Sequence, residues 1–113
     1  MKANEIANNF EIEMNRGFMS LAVLSQLKTK QYGYSLLALL EKRGAFIDAN
    51  TLYPMLRRLE EKGLLDSSWD TTEARPRKYY LISKLGIEVY EEMKKIWYKT
   101  QNKMDILLKE ENK

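Results

Sequence analysis

The sequence predicts a mainly α-helical fold with one small β-hairpin and a long C-terminal helix. Three features of the pattern lead to this prediction. Apolar residues recur every three or four positions up to residue 62, as they do on the buried face of a helix. After Gly63 apolar and polar residues alternate instead, which is typical of a half-buried strand. From residue 84 onward the helical spacing returns and continues almost to the end of the chain.

The composition excludes several classes of function. The 113 residues suffice for one domain with one core, and the 19 basic and 16 acidic side chains leave a net charge of +3. The chain has no Cys and no His, which excludes disulfides, thiol or imidazole catalysis and Cys/His zinc sites. It also has no calcium-type loop, so we expect no metal and no cofactor. Residues 1–10 lack the apolar core of a signal peptide and no apolar run could span a bilayer, so we expect a cytoplasmic protein.

Three helices are expected in the N-terminal part of the chain. The first, near residues 3–14, has a thin apolar stripe with a spacing of four. The second, near residues 16–29, has a denser apolar face. The third runs from Tyr34 to Arg43 and ends at Gly44, a residue type that readily adopts the left-handed conformation at a helix C-terminus. The apolar positions of the first two helices are Ile6, Phe10, Met14, Phe18, Leu21, Ala22, Leu24 and Leu27.

A fourth helix is predicted from Asp48, a good N-cap, to Lys62, with Gly63 just past its end. Its buried face consists of Leu52, Met55, Leu56 and Leu59. Pro54 falls inside this segment, where a proline removes one backbone hydrogen bond and often kinks the helix. A later start, with Pro54 in the first turn, therefore remains an alternative.

The alternating segment predicts a two-stranded hairpin. Its first strand contains Leu65, Ser67 and Trp69, each between polar neighbours. Residues 70–76 are turn-like, and residues 77–83 are rich in the aromatic and β-branched types that favour a strand. We expect Trp69 to anchor the hairpin on the helices.

Ser83 can cap a final helix that continues to about Leu108. At 1.5 Å per residue, about 25 residues span roughly 38 Å, which exceeds the ~30 Å width of a small domain. The far half therefore has no core of its own chain to pack on, and a second copy of the chain is the expected partner. We accordingly divide the chain into residues 1–83 and a dimerisation helix, residues 84–113. The seam of this helix, spaced as in a heptad, is Tyr90, Met93, Trp97, Thr100, Met104 and Leu107.

Three compact helices followed by a hairpin are typical of a winged helix, a variant of the helix-turn-helix fold. In that fold the last helix before the hairpin enters the major groove of DNA, and the hairpin tip lies along the backbone or the minor groove. Short polar side chains, a tyrosine hydroxyl and cations in these places suit base edges and phosphates. We therefore expect DNA contacts from Asn50, Thr51, Tyr53, Arg57, Arg75, Arg77 and Lys78. Since neighbours in a strand point to opposite faces, one of Arg77 and Lys78 is expected to touch DNA.

Short motifs over residues 16–97 carry a family resemblance. They are Arg16-Gly17, Tyr32-Gly33-Tyr34, the segment TLYPMLRRLE at residues 51–60, Gly63-Leu64, and Arg77-Lys78-Tyr79-Tyr80 with Ser83 and Gly86. Together they resemble the PadR family of bacterial transcriptional regulators. The long, specific segment at residues 51–60 keeps Pro54, which supports the fourth helix. The short tail is similar to that of the small branch that includes lactococcal multidrug-responsive repressors.

The resemblance implies a homodimeric winged-helix repressor that binds a roughly palindromic operator. In such proteins the final helix, with help from the first, forms the dimer interface and frames a ligand pocket. In the multidrug-responsive members a tryptophan of the last helix stacks on planar aromatic compounds, and Trp97 occupies the matching position. Phe18 and Ala22 depart from the family's pocket residues, and the bulk of Phe18 can narrow or close a pore between the subunits. The resemblance thus implies an interface of Phe10, Met14, Tyr90, Met93, Trp97, Met104 and Leu107 and a ligand site of Phe18, Met93 and Trp97.

Two alternatives remain open. Trp97 lies on an apolar seam, so it is most simply explained as a dimer-core residue without a ligand role. The chain would then be a constitutive DNA-binding or protein-interaction module. Catalysis is not expected, because the adjacent carboxylates of Glu60/Glu61 and Glu91/Glu92 point apart on a helix and no GxSxG, Walker or Rossmann pattern is present.

Overall fold

The computed structural model describes residues 2–110, and over that range five α-helices and three β-strands follow one another along the chain. No helix in this range is both long and apolar enough to cross a membrane. The prediction of a mainly helical fold with a small sheet is confirmed. In chain order the elements are α1 (Ala3–Arg16), α2 (Met19–Ser25), β1 (Gln31–Tyr32), α3 (Gly33–Lys42), α4 (Ala49–Glu61), β2 (Leu65–Asp70), β3 (Arg77–Ile82) and α5 (Lys84–Glu110).

The core lies where α2, α3 and α4 meet the sheet and the first turns of α5. Each helix contributes leucines from one face, which is how an amphipathic helix buries apolar area. The fully buried side chains are Val23, Leu24, Leu27, Leu36, Leu40, Leu52 and Leu56. Because these positions face inward, the opposite faces of α3 and α4 are presented to solvent.

The boundaries of α4 agree with the prediction. Asp48 is the N-cap, and its carboxylate accepts a hydrogen bond from the backbone N–H of Thr51 at 3.0 Å. The alternative of a later start is wrong, because Pro54 lies in the second turn of the helix. Since proline has no N–H, the carbonyl of Asn50 loses its usual partner four residues on.

The second helix is shorter than predicted. It ends at Ser25 instead of continuing to residue 29. The N–H groups of Gln26 and Leu27 bond to carbonyls three residues back instead of four, which tightens the last turn, and Gln26 then leaves the helical conformation. The carbonyl of Leu27 accepts a hydrogen bond from the N–H of Ile82 at 2.8 Å, which joins the end of this segment to the sheet. The chain then enters β1, which pairs antiparallel with β3 through Gln31 and Tyr32.

The sheet therefore has three antiparallel strands in the order β1-β3-β2, and not the two of the predicted hairpin. β1 escaped prediction because two residues cannot show an alternating pattern. The hairpin itself is confirmed, with Leu65 opposite Ile82 and Asp70 opposite Arg77 at its two ends.

Ser83 begins α5 as predicted: its hydroxyl accepts from the N–H of Gly86 at 2.9 Å and donates to the carbonyl of Gly63 at 2.6 Å. The helix has 27 residues and runs well past the core. Tyr90, the first residue of the predicted seam, is 8% exposed and belongs to the chain's own core. The part of the predicted seam that the chain itself leaves partly or fully exposed therefore starts at Met93, which is half-buried.

Candidate nucleic-acid interface

The outward face of α4 carries the four side chains that the sequence predicts to contact DNA. Asn50, Thr51 and Arg57 are exposed, and Tyr53 is 41% exposed. They lie opposite the leucine face that fixes the helix in the core. The hydroxyl of Thr51 is engaged locally, at 3.3 Å from the two carboxylate oxygens of Asp48. In contrast, Asn50 and Arg57 make no side-chain hydrogen bond or ion pair within residues 2–110, which leaves their donors available.

The tip of the β2–β3 hairpin is closed by Asp70. Its carboxylate accepts from the backbone N–H of Thr72 at 2.9 Å and from the Thr72 hydroxyl at 2.7 Å. These hydrogen bonds, more than the nearby cations, hold the pKa of Asp70 below its ordinary value. The carboxylate of Asp70 is thus used to shape the turn, while the exposed Arg75 has no side-chain partner in the described part of the chain.

Arg77 and Lys78 point to opposite faces of β3, as predicted. The guanidinium of Arg77 lies 4.5 Å from the ring centroid of Tyr32 and 3.7 Å from the carboxylate of Glu73. A hydrogen bond with Tyr79 is the main cause of the raised pKa of Arg77, with smaller contributions from Tyr32 and Glu73.

Lys78 lies on the side of α4. Its ammonium is 2.9 Å from the carboxylate of Glu60, which also accepts a hydrogen bond from Ser67 of β2. The Ser67 hydrogen bond is the main cause of the lowered pKa of Glu60, and the Lys78 hydrogen bond comes second. The hydrogen bond between Lys78 and Glu60 is also the main cause of the raised pKa of Lys78. Lys78 therefore ties the hairpin to α4.

An open groove of about 600 Å³ lies between the hairpin and the junction of β1 with α3, and Tyr53 of α4 forms part of its wall. It brings Tyr53 together with three predicted cations, Arg75, Arg77 and Lys78, whereas Asn50, Thr51 and Arg57 are not among its lining residues. The remaining lining residues are mostly aromatic: Tyr32, Gly33, Tyr34, Trp69, Pro76 and Tyr80. The groove thus combines cations with flat apolar surfaces, the two features that suit a sugar–phosphate backbone.

Gly33 shapes one wall of this groove. A Cβ at this position would overlap the ring of Tyr53, so the absence of a side chain lets Tyr53 lie against the start of α3. The sequence singles out Gly33 only as a position of close approach or a turn. Its partner could not be found from the sequence, because it lies on another helix.

The side chain of Trp69 lies in a different environment from the one that the sequence predicts. The expectation that it anchors the hairpin on the helices is wrong, since its side chain is 64% exposed. The reason is the length of the hairpin: in β2 only Leu65 is buried, and the residues after it extend beyond the helical layer. Trp69 instead lines the groove.

The predicted ligand residues meet on a different part of the chain. The ring of Phe18 packs edge-on against Trp97, with 4.7 Å between ring centroids and 75° between planes. Trp97 is still 36% exposed, and Met93 is half-buried one turn before it. The three side chains are thus neighbours, but part of the Trp97 indole is already covered by Phe18.

Comparison with known proteins identifies the family. The model described as "Transcriptional regulator PadR-like family" matches residues 21–92. The crystal structure of a PadR family transcriptional regulator from Eggerthella lenta superposes with a TM-score of 0.89 at 41% identity, covering 93% of this chain and 94% of that one. An uncharacterised protein of Lysinibacillus sphaericus is 30% identical over 98 residues, which are 82% of this chain and 90% of that protein.

A more distant structure has the same fold. Bacillus subtilis PadR, solved in complex with operator DNA, superposes with a TM-score of 0.62 at 18% identity, covering 66% of this chain and 45% of that one. The predicted winged-helix fold class is confirmed by these superpositions. The chain therefore belongs to the PadR-like family of transcriptional regulators, and it is not an enzyme.

Proposed function

We propose that this regulator is a homodimeric repressor that binds a roughly palindromic operator through α4 and the β2–β3 hairpin. In this proposal residues 1–83 bind DNA and residues 84–113 dimerise. The observation that carries it is the shared groove, in which Tyr53 of α4 and Arg75 of the hairpin line one cavity. A helix and a hairpin that face one groove can hold one DNA strand between them.

The donors that are free indicate which residues would contact phosphates and which would contact base edges. Arg57 and Arg75 are exposed cations without a side-chain partner within residues 2–110. Contacts to phosphate supply affinity that depends on salt, and contacts to base edges supply specificity. Asn50 in the first turn of α4 and Arg57 about two turns later suit base edges. Arg75 at the hairpin suits the phosphate backbone.

The dimer is supported by apolar surface that the chain itself leaves uncovered. On α5, Met104 is 44% exposed and Leu107 is 54% exposed. The side chains of α1 are exposed along its whole length, with Phe10 at 59% and Met14 at 71%. Apolar patches of this kind on two helices mark an interaction surface. Pairing two copies also places two recognition helices on one duplex, at half-sites about 34 Å apart.

The second part of the proposal is a small-molecule ligand that controls DNA binding. A planar aromatic or hydrophobic compound at Trp97, beside Phe18 and Met93, would alter the angle between the paired α5 helices and so the spacing of the two α4 helices. Such a ligand acts only through its different affinity for the two spacings, and a coupling of about 1–3 kcal/mol would change operator affinity by about 5- to 150-fold. The alternative is a regulator without a small-molecule ligand. The Phe18–Trp97 contact supports it, because the indole already has an aromatic neighbour in the chain itself. In that case Trp97 is interface core, and DNA binding is constitutive.

The proposed function is tested by DNA affinity as a function of salt. The probes are a 30-bp duplex of random sequence and a duplex selected from a random library with this protein. We expect Arg75→Ala to lower the affinity for both duplexes by a similar factor and to reduce the salt slope by about one unit. We expect Arg57→Ala to lower the affinity for the selected duplex more than the affinity for the random one. Lys109→Ala, which removes an exposed cation at the far end of α5, is the matched control. Unchanged affinity in both arginine variants would contradict the proposed interface.

A further inference from the structure

Trp69 is a large apolar side chain that the fold leaves in water. It is 64% exposed, although a tryptophan is normally among the better-buried residues of a small domain. Within residues 2–110 its ring makes no aromatic contact and its indole N–H donates to no acceptor. The side chain therefore contributes little to holding the hairpin in place, and its role must be sought outside the chain.

The surroundings of Trp69 are those of the proposed DNA groove. It pairs across the sheet with Lys78, so it lies on the face of the hairpin that looks toward α4. It lines the same groove as Tyr53 and Arg75. The residues opposite and near it at the tip include three cations within four positions, Arg75, Arg77 and Lys78. A partner that fits this place must be a polyanion with flat or apolar portions.

We infer that Trp69 contacts the sugar–phosphate backbone of the DNA strand that lies between α4 and the hairpin. Its ring packs on a deoxyribose, and its indole N–H donates a hydrogen bond to a phosphate oxygen. The inference rests on the proposed function and adds to it an uncharged backbone contact. Because a backbone contact carries no sequence information, Trp69 contributes to affinity for all sequences alike.

An uncharged contact can be distinguished from a charged one by its salt dependence. A cation that neutralises a phosphate releases a counterion and adds about 0.9 to the salt slope, whereas an indole does not. A hydrogen bond to a charged group contributes about 1.5 kcal/mol or more, which corresponds to about tenfold in affinity. Trp69→Ala loses this hydrogen bond and the ring contact as well. We therefore expect it to weaken binding to the random and the selected duplex by the same factor, more than about tenfold, with the salt slope unchanged.

Two comparisons make the experiment specific to this side chain. Trp69→Phe keeps an aromatic ring but loses the N–H donor, so its affinity should lie between those of the parent protein and Trp69→Ala. Tyr98→Ala removes an aromatic side chain of nearly equal exposure, 63%, from α5, and it should bind as the parent does. Titration of the parent with the random duplex should also change its tryptophan emission, and this change should disappear in Trp69→Phe.

The outcomes separate this inference from the function on which it rests. If the parent binds DNA and Arg75→Ala weakens it, but Trp69→Ala binds with parental affinity and Trp69 emission does not respond, the inference is overturned and the proposed function stands. It is likewise overturned if Trp69→Ala loses the cooperative unfolding or the oligomeric state of the parent, since the role is then structural. If the parent binds neither duplex, the proposed function itself fails.

Discussion

Glu60 of α4 and Lys78 of β3 form an ion pair with 2.9 Å between Oε1 and Nζ. The same carboxylate accepts a hydrogen bond from Ser67, so one side chain of α4 contacts both strands of the hairpin. About 30% of each partner's side chain is exposed, so the pair is shielded in part from water. We expect the angle between α4 and the hairpin, and with it the shape of the groove, to depend in part on this contact. The prediction that Lys78 touches DNA has to be tested against this structural role.

We expect Glu60→Gln to weaken DNA binding a few-fold without loss of the fold. The substitution removes the charge that attracts Lys78, and a partly shielded pair contributes about 1 kcal/mol at most to the free energy of unfolding. Affinity for the random duplex and urea denaturation measure the two effects. Glu61→Gln, at the exposed neighbouring position, is the control. Equal affinity of the two variants would show that the pair does not orient the hairpin.

The stabilising effect of Glu60 should depend on pH with a definite sign. Its pKa is lowered in the folded protein, first by Ser67 and then by Lys78, from an ordinary value of 4.5. A group with a lowered folded pKa contributes its full stabilisation above the unfolded value and loses it as pH falls through the folded value. The difference in unfolding free energy between the parent and Glu60→Gln should therefore be constant near pH 7 and shrink below pH 4.5. A difference that grows on acidification would contradict this assignment.

Two glycines should respond differently to the same substitution. A Cβ on Gly86 would overlap the backbone carbonyl of Leu64, which cannot move aside, so Gly86→Ala should destabilise the fold by about 1–3 kcal/mol. For Gly33 the atoms nearest to an added Cβ belong instead to the ring of Tyr53, an exposed side chain that can swing away. Gly33→Ala should therefore fold normally but bind DNA more weakly. Thermal unfolding and DNA titration separate the two, with Gly17→Ala, where a Cβ meets open space, as the control.

The parts of the fold that could be predicted are those specified by neighbours in sequence. The helix α4 was predictable because its cap, Asp48, and its leucine face lie within one segment. The strand β1 was not, because Gln31 and Tyr32 become a strand only by pairing with β3. The segment after α2 is held in the same way, since the carbonyl of Leu27 bonds to β3.

The candidate site shows the same limit. The residue types of the predicted interface could be chosen from α4 and the hairpin separately, but which of them share a groove depends on how the two elements meet. The ion pair of Glu60 with Lys78 and the exposure of Trp69 are consequences of that meeting. Tyr90 illustrates the opposite error: heptad spacing assigns it to a dimer seam, whereas the chain's own core already buries it.

The dimer proposal predicts that dimerisation depends on which face of α5 a residue occupies more than on how hydrophobic the residue is. Leu107→Asp places a charge on the seam and should convert the dimer to a monomer in sedimentation equilibrium at micromolar concentration. Ile106→Asp is the matched control, because Ile106 has nearly the same exposure, 57% against 54%, but lies off the seam. The selected duplex should bind Leu107→Asp much more weakly than Ile106→Asp, since a monomer reads one half-site. Dissociation by both variants, or by neither, would contradict the seam.

The contact between Phe18 and Trp97 gives the ligand proposal its own test. In a Trp69→Phe background only Trp97 emits, and an added planar dye such as proflavine should quench this emission without DNA present. Because Phe18 packs on the indole at 4.7 Å, Phe18→Ala should uncover Trp97, shift its emission to longer wavelength and tighten dye binding severalfold. Trp97→Phe, in which only Trp69 emits, is the control and should show no such quenching.

Two results of this titration would lead to different conclusions. If the emission of Trp97 shifts in Phe18→Ala but the dye quenches neither variant, Phe18 covers the indole and yet no ligand site is present. Trp97 would then be interface core, and the regulator would bind DNA constitutively. If the dye quenches the Trp69→Phe protein and weakens its binding to the selected duplex more than it weakens that of Trp97→Phe, which corrects for dye that intercalates into the DNA, the Trp97 site is coupled to the DNA surface. By linkage the selected duplex must then weaken binding of the dye to the protein by the same factor.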